Sequence, residues 1–142
     1  MRAYFSRRYR LSAAHRLHTD AFTEEQNRDV YGKCSNPHGH GHNYVIEVTV
    51  GGAVNPETGM VCDLVDLDSC VRKEVVDRFD HTNLNLDPLF QDRVPTTENL
   101  CIEVYRLLAS GFDKADVVRV RVEETSNNSF EYPANVPSAA GC

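Results

Sequence analysis

The chain has 142 residues, enough for one domain with a hydrophobic core but too few for two ordinary domains. Its formal net charge of −6 argues against a nucleic-acid partner, because binding to a phosphate backbone needs an excess of Lys and Arg. No apolar run approaches the ~20 residues that cross a bilayer or resembles a signal peptide, so we expect no membrane association and a cytoplasmic location.

The first predicted element is a β-strand that ends at His15. Between Tyr4 and His15 apolar residues alternate with polar ones, and His15 falls on the apolar face. The polar segment that follows, up to Lys33, has no sustained apolar stripe and predicts a long connection with room for a short helix. Connections of this length in small domains often carry function.

A second strand is predicted over residues 43–50, where apolar and polar residues alternate again. The same parity, extended backwards, reaches His42 and His40. Turn-forming residues at 55–59 then predict a hairpin to a strand at 60–62.

Two helices are predicted next. Asp63 can cap a helix over residues 64–79, whose apolar residues follow helical spacing. A second helix begins near Thr96 and stops at Gly111. Between the helices lies a polar loop that contains Asp80 and His81.

The C-terminal part predicts a strand pair. Residues 117–124 alternate and place Glu124 at the end of the apolar face, and residues 130–132 can pair back as a hairpin. Residues 133–142 are expected to form a loosely ordered tail. The order of elements predicts a single domain over residues 1–142, of the α+β class, with an antiparallel sheet backed by two helices.

The strongest chemical signal is the sequence His38-Gly39-His40-Gly41-His42. In an extended chain residues i and i+2 point the same way, so His40 and His42 can present two imidazoles to one metal ion. A third histidine would complete a catalytic zinc site with one open position. His15, His18, His38 and His81 are all candidates, and His15 is favoured because it ends a strand with inward parity.

Cys34 stands six residues before His40, the first of these paired histidines. It is either a fourth ligand in a closed structural zinc site or a free thiolate beside the metal. Lys33 and a nearby dication would both lower its pKa and favour a thiolate base. His81, with Asp80 behind it, could act with such a thiol. Glu124 is an acid on an apolar face, where burial is costly unless the acid is paired.

Together these residues resemble the 6-pyruvoyl-tetrahydropterin synthase family, which also contains 6-carboxy-tetrahydropterin synthases. The resemblance covers residues 5–132, with its motifs in the same order. The motif stretches are 12–18, 32–44, 56–61, 80–81, 96–99 and 124–128. One departure is His38, which occupies a position where the family has a residue such as Asn that does not bind the metal.

The resemblance implies a site and an assembly. It makes His15, His40 and His42 zinc ligands and Cys34 the general base. It assigns Asp80 and His81 as partners of the base, and Glu124, helped by Thr96 and Thr97, as the anchor of the pterin ring. It also implies the tunnelling fold: a four-stranded antiparallel sheet with two helices on one face, three subunits closing an oligomeric barrel, and two trimers stacking into a homohexamer with sites between subunits.

Two chemistries occur in the family, and both act on a pterin triphosphate. One converts 7,8-dihydroneopterin triphosphate to 6-pyruvoyl-tetrahydropterin with release of triphosphate, and the other forms 6-carboxy-tetrahydropterin for queuosine and related deazapurines. The Cys34-to-His40 interval resembles the pyruvoyl type. Alternatives are a non-catalytic zinc-stabilised binding module and a dihydroneopterin aldolase, although an aldolase would leave the three histidines unexplained. The cations expected to meet the triphosphate are Arg8, Arg10, Arg16 and Lys33.

Overall fold

The computed structural model describes residues 1–134, and its main feature is one largely antiparallel sheet with helices packed on one face. Five strands lie in the order β3-β1-β2-β4-β5. The strands are β1 Arg2–His15, β2 His40–Ala53, β3 Thr82–Asn83, β4 Asp116–Thr125 and β5 Asn128–Tyr132. The helices are α1 Glu24–Tyr31, α2 Leu64–Val71, α3 Asp77–Phe79 and α4 Thr97–Gly111. A π turn, Arg72–Val76, joins α2 to α3 without a break.

The core lies between the sheet and the two long helical segments. Strand residues of inward parity, such as Ile46, Val48 and Val122, are fully buried. They pack in one hydrophobic cluster with Val71 of α2 and Leu100 of α4, because each helix buries a single apolar stripe. The expected α+β class, with two helical segments on one face of the sheet, is therefore confirmed.

The sheet differs from the predicted four-stranded one by the short strand β3. It pairs in parallel with the free edge of β1, where Ala13 lies opposite Thr82. The preceding loop is already fastened to this edge, since Ser12 N donates to Asp80 Oδ1 at 2.8 Å and His81 N donates to Ser12 O at 2.6 Å. Two residues are too few to produce an alternating pattern, so the sequence carried no sign of β3.

The predicted strand at residues 60–62 is wrong. Asn55 Oδ1 accepts hydrogen bonds from the amides of Glu57 and Thr58, and Gly59 takes a positive φ of 73°, so the predicted turn does form. Two backbone hydrogen bonds, from Gly59 N to Asn55 O at 2.7 Å and from Asn55 N to Met60 O at 3.0 Å, join the two arms. Asp63 then caps α2 by accepting from Val65 N, and this helix start leaves no room for a returning strand.

Other boundaries are close to those predicted. Helix 64–79 is continuous, although Leu64 at its start is exposed. The long connection contains α1, which begins with a capping box between Thr23 and Gln26. The predicted tail lies outside the described residues from position 135 onward. Within residues 1–134, none of the helices has the length and apolar character needed to cross a membrane.

Candidate active site

Three histidines meet at the end of the core face because of the register between β1 and β2. His15 lies directly opposite His40 in this antiparallel pair, and Ala13 lies opposite His42. Directly opposed residues share a face, and a residue two positions further along a strand returns to that face. The pairing therefore brings His42 beside the other two imidazoles.

The three rings form a compact cluster. Their candidate ligand atoms all lie within 4.8 Å of one another. His15 Nε2 is 3.1 Å from His40 Nε2, and the ring centroids of His40 and His42 are 4.7 Å apart. Nitrogens that bind one tetrahedral zinc ion at 2.0–2.1 Å are separated by about 3.3 Å, so the observed spacing fits such an ion.

His15 is held in a defined orientation by the chain that precedes α4. Its Nδ1 lies 2.8 Å from the carbonyl oxygen of Pro95, which can only accept a hydrogen bond. Nδ1 must therefore carry the proton, and Nε2 presents a lone pair to the cluster. Burial lowers the pKa of both His15 and His40, and the neighbouring His42 lowers it further, which favours the neutral imidazoles that metals bind.

Among residues 1–134, two buried imidazole atoms of the cluster have no hydrogen-bond partner, namely His40 Nδ1 and His42 Nε2. Buried polar atoms are rarely left unpaired without a reason such as a bound ion. His42 Nε2 belongs to the same cluster as His15 Nε2 and His40 Nε2, which face each other. Three nitrogens in this arrangement are suited to binding a cation. The residues present therefore fit a zinc ion with three protein ligands.

Glu124 lies beside this cluster, where the apolar face of β4 ends. Its Oε1 is 3.6 Å from His42 Nε2, and its Oε2 accepts a hydrogen bond from the hydroxyl of Thr97. Its side chain is 18% exposed. The partly open carboxylate thus has a fixed position next to the histidines and retains free acceptor capacity for a ligand.

Tyr44, which falls on the apolar face of the predicted strand 43–50, is also a member of the site. It is 1% exposed, and its hydroxyl lies 3.4 Å from His15 Nδ1. Burial and the carboxylate of Glu124 raise its pKa well above the usual range, so it remains a neutral phenol. The sequence signal for Tyr44 was its position in the alternation along β2, which puts it on the same strand face as His40 and His42. The role of the Pro95 carbonyl had no signal in the sequence.

Cys34 lies on a single 3₁₀ turn, Gly32–Ser35, which we call the Cys34 turn. Within residues 1–134 the histidine cluster does not include its sulfur. Burial, and then the carboxylate of Glu124, raise the pKa of this thiol. The expectation that Lys33 lowers this pKa is wrong, because Lys33 is exposed and is not among the groups that shift it.

Asp80 and His81 are not members of the histidine cluster and are fastened to the edge of β1 at Ser12. The carboxylate of Asp80 is 3.6 Å from His81 Nε2, and the His81 side chain is 83% exposed. Both residues line a groove of about 410 Å³ that also contains Ser12 and Asn43. Among the described residues, His81 has no hydrogen bond to Cys34.

The remaining candidates divide between structural and site positions. Thr96 is the N-cap of α4, and its hydroxyl accepts from Asn99 N at 3.2 Å. Thr97 is 2% exposed and contacts Glu124. His38 is exposed and lies outside the histidine cluster, so the departure at this position leaves the three-histidine arrangement intact.

Comparison with known proteins gives the family. Residues 4–135 match the family model described as 6-pyruvoyl tetrahydropterin synthase. The chain belongs to this family. A 6-pyruvoyl tetrahydrobiopterin synthase from Poecilia reticulata is 44% identical over 130 residues, which is 91% of this chain and 88% of that protein.

Two further relatives show how far the similarity extends. The structure of the Caenorhabditis elegans 6-pyruvoyl tetrahydropterin synthase superposes with a TM-score of 0.90 at 38% identity, covering 95% of this chain and 97% of that one. A putative 6-carboxy-5,6,7,8-tetrahydropterin synthase from Archaeoglobus fulgidus is 44% identical over 92 residues, which is 65% of this chain and 73% of that protein. The match to the pyruvoyl-type relatives is therefore the more extensive one.

Proposed function

We propose that this chain is a lyase that converts 7,8-dihydroneopterin triphosphate to 6-pyruvoyl-tetrahydropterin and releases triphosphate. The observation that carries the proposal is the meeting of His15, His40 and His42 beside Glu124 in a member of this synthase family. Each group of this set has a part in the reaction.

His15, His40 and His42 hold a zinc ion in this proposal. Three protein ligands leave one position open to substrate, as in catalytic zinc sites. When bound, zinc supplies a Lewis acid for the side-chain hydroxyls of the substrate and a positive charge that favours the thiolate of Cys34. The Pro95 carbonyl keeps His15 in the tautomer that binds metal.

Cys34 is the general base that removes a carbon-bound proton from the substrate side chain. A base needs a free sulfur, and exclusion of this sulfur from the ligand cluster supports the role. The same exclusion argues against a closed structural site of three histidines and one cysteine. Reduction of the pterin ring and oxidation of its side chain balance within the molecule, so the reaction needs no external reductant.

Glu124 anchors the pterin ring. A carboxylate can accept two hydrogen bonds from the guanidine-like edge of a 2-amino-4-oxo-pteridine. Thr97 supports this role by donating to Glu124 Oε2, which leaves Oε1 directed toward the histidines. Thr96 contributes through the cap that starts α4 and thereby places its neighbour.

His81, supported by Asp80, relays the proton in a site shared between subunits. The support is geometric: His81 is exposed at a sheet edge and makes no hydrogen bond to Cys34 in the part of the chain that the structure describes. A homohexamer of two stacked trimers, each closing a barrel, would let one subunit supply the thiol and another the imidazole.

A cytoplasmic location completes the proposal. The four described cysteines, Cys34, Cys62, Cys70 and Cys101, are all free. Free thiols are the usual state in the reducing cytosol, where structural disulfides are rare.

The test is incubation of the purified, zinc-loaded protein with 7,8-dihydroneopterin triphosphate, followed by mass identification of the products. We expect 6-pyruvoyl-tetrahydropterin and one equivalent of triphosphate. Formation of 6-carboxy-tetrahydropterin would contradict the proposed product and support the other chemistry of the family. Folded, zinc-bound protein without turnover would support the binding module instead. Protein stripped with a chelator is the control.

A further inference from the structure

Arg16 follows His15 at the end of β1 and contacts the Cys34 turn. Its Nε donates to the carbonyl oxygen of Ser35 at 3.0 Å. The next residue, Leu17, donates its backbone N–H to the carbonyl oxygen of Cys34 at 2.7 Å. The two residues that follow His15 therefore hold the last two residues of the Cys34 turn.

Asn85 in turn holds Arg16. Its Oδ1 accepts from Arg16 N at 2.7 Å, and its Nδ2 donates to Arg16 O at 2.9 Å. One amide side chain thus satisfies both backbone groups of Arg16 at a point where β1 has lost its strand neighbours. Both side chains are half-buried. The result is a continuous set of hydrogen bonds from Asn85 through Arg16 to the turn that carries Cys34.

This arrangement separates Arg16 from the other cations that were candidates for binding triphosphate. The guanidinium is a rigid planar fork, so the bond from Nε to Ser35 O also fixes the plane of its other N–H groups. By contrast, Arg10 and Lys33 are exposed and form no ion pair within residues 1–134, and Arg8 faces Glu47 at 3.5 Å on the surface.

We propose that Arg16, held by Asn85, is a positioning residue that fixes Cys34 relative to the histidine cluster and is not a triphosphate-binding cation. The inference rests on the proposed role of Cys34 as the base. Its physical ground is that proton abstraction depends steeply on geometry, so that a displacement of about 1 Å can cost ~10²-fold in rate.

The first test compares Arg16→Gln with the wild type. We expect kcat to fall by ~10–10²-fold with a nearly unchanged KM and unchanged zinc content. Cys34 should also react several-fold faster with iodoacetamide, measured by mass spectrometry of its peptide, because the turn is no longer held. Cys62 on the same protein is the internal reference. Arg8→Gln, which changes a surface arginine of β1, should leave the rate of Cys34 alkylation unchanged.

Two further variants separate charge from hydrogen bonding. Arg16→Lys keeps the charge but loses the planar N–H fork, so it should resemble Arg16→Gln. Asn85→Ala removes no charge and should also speed alkylation of Cys34. This variant replaces Arg16→Gln as the test if Arg16→Gln does not fold. A raised KM with unchanged kcat and alkylation, or full recovery in Arg16→Lys, would overturn the inference. Alkylation needs no turnover, so failure of the proposed reaction can be told apart from failure here.

Discussion

At the scale of single residues, the question that decides the chemistry is whether Cys34 is a base or a zinc ligand. In the part of the chain that the structure describes, its sulfur lies outside the cluster of His15, His40 and His42. We therefore expect Cys34→Ala to retain about one zinc per chain and to bind substrate, but to lose triphosphate release by at least ~10²-fold. Zinc content can be measured by elemental analysis and triphosphate by ion chromatography.

Histidine variants provide the contrast for that experiment. His40→Ala should lose zinc, because it removes one of three ligands, whereas His38→Ala should retain it, because His38 is exposed and outside the cluster. Loss of zinc from Cys34→Ala would contradict the base and support a closed structural site.

Glu124 and its neighbour Glu123 provide a second test on adjacent residues. Glu124 lies beside the histidine cluster, whereas Glu123 has the opposite parity on β4. Glu124→Gln should raise the substrate Kd tenfold or more, because each charge-assisted hydrogen bond contributes about 1.5–3 kcal/mol. Glu123→Gln should change it little. Equal effects in binding titrations would show that Glu124 does not anchor the substrate.

At the scale of elements, an ion pair closes the loop that carries His81. Arg78 of α3 donates from Nε and Nη2 to Asp87 at 3.0 and 2.9 Å, and Asp87 also accepts from Leu89 N. Burial raises the pKa of Asp87, but these hydrogen bonds and the charge of Arg78 outweigh it and hold the pKa below its usual range. The folded state therefore favours the ionised carboxylate.

This pair predicts a pH-dependent loss of stability. A carboxylate with a depressed folded pKa stabilises the fold above its usual pKa of about 3.9, and this contribution disappears as the pH falls through the folded value. Asp87→Asn should reduce the free energy of unfolding by about 1–2 kcal/mol at pH 7, and the difference should shrink toward pH 2. Urea unfolding at equal protein concentration measures both.

Asp116→Asn is the control for the ion pair at Asp87. Asp116 meets Arg2 on the surface with both side chains largely exposed, so its loss should change stability little at either pH. A difference between Asp87→Asn and the wild type that persists unchanged at pH 2 would contradict the assignment to the ionised carboxylate.

At the scale of the whole molecule, the proposed sharing of sites between subunits predicts complementation between variants. Cys34→Ala and His81→Ala should each be inactive as homo-oligomers. After unfolding and refolding as an equal mixture, about a quarter of shared sites should combine one intact thiol with one intact imidazole and regain activity. No recovery in a verified mixed oligomer would contradict sites between subunits. Sedimentation equilibrium should give a species of six 16.0 kDa chains.

The sequence by itself determined the features that depend on local periodicity. The alternation along β1, β2 and β4 predicted which residues face the core, and the same parity predicted that His15, His40, His42 and Glu124 share that face. The spacing of apolar residues predicted the two long helical segments. These patterns could be recognised because a strand or helix that buries one face repeats its chemistry over many residues.

Only the tertiary structure decided the features that depend on single contacts between distant residues. The strand β3, the Pro95 carbonyl on His15, the Thr97 hydroxyl on Glu124 and the link from Asn85 through Arg16 to the Cys34 turn each join residues far apart in sequence. A single hydrogen bond leaves no repeating pattern. Whether Cys34 lies within reach of the metal ligands likewise depends on how the turn packs, which spacing along the chain does not determine.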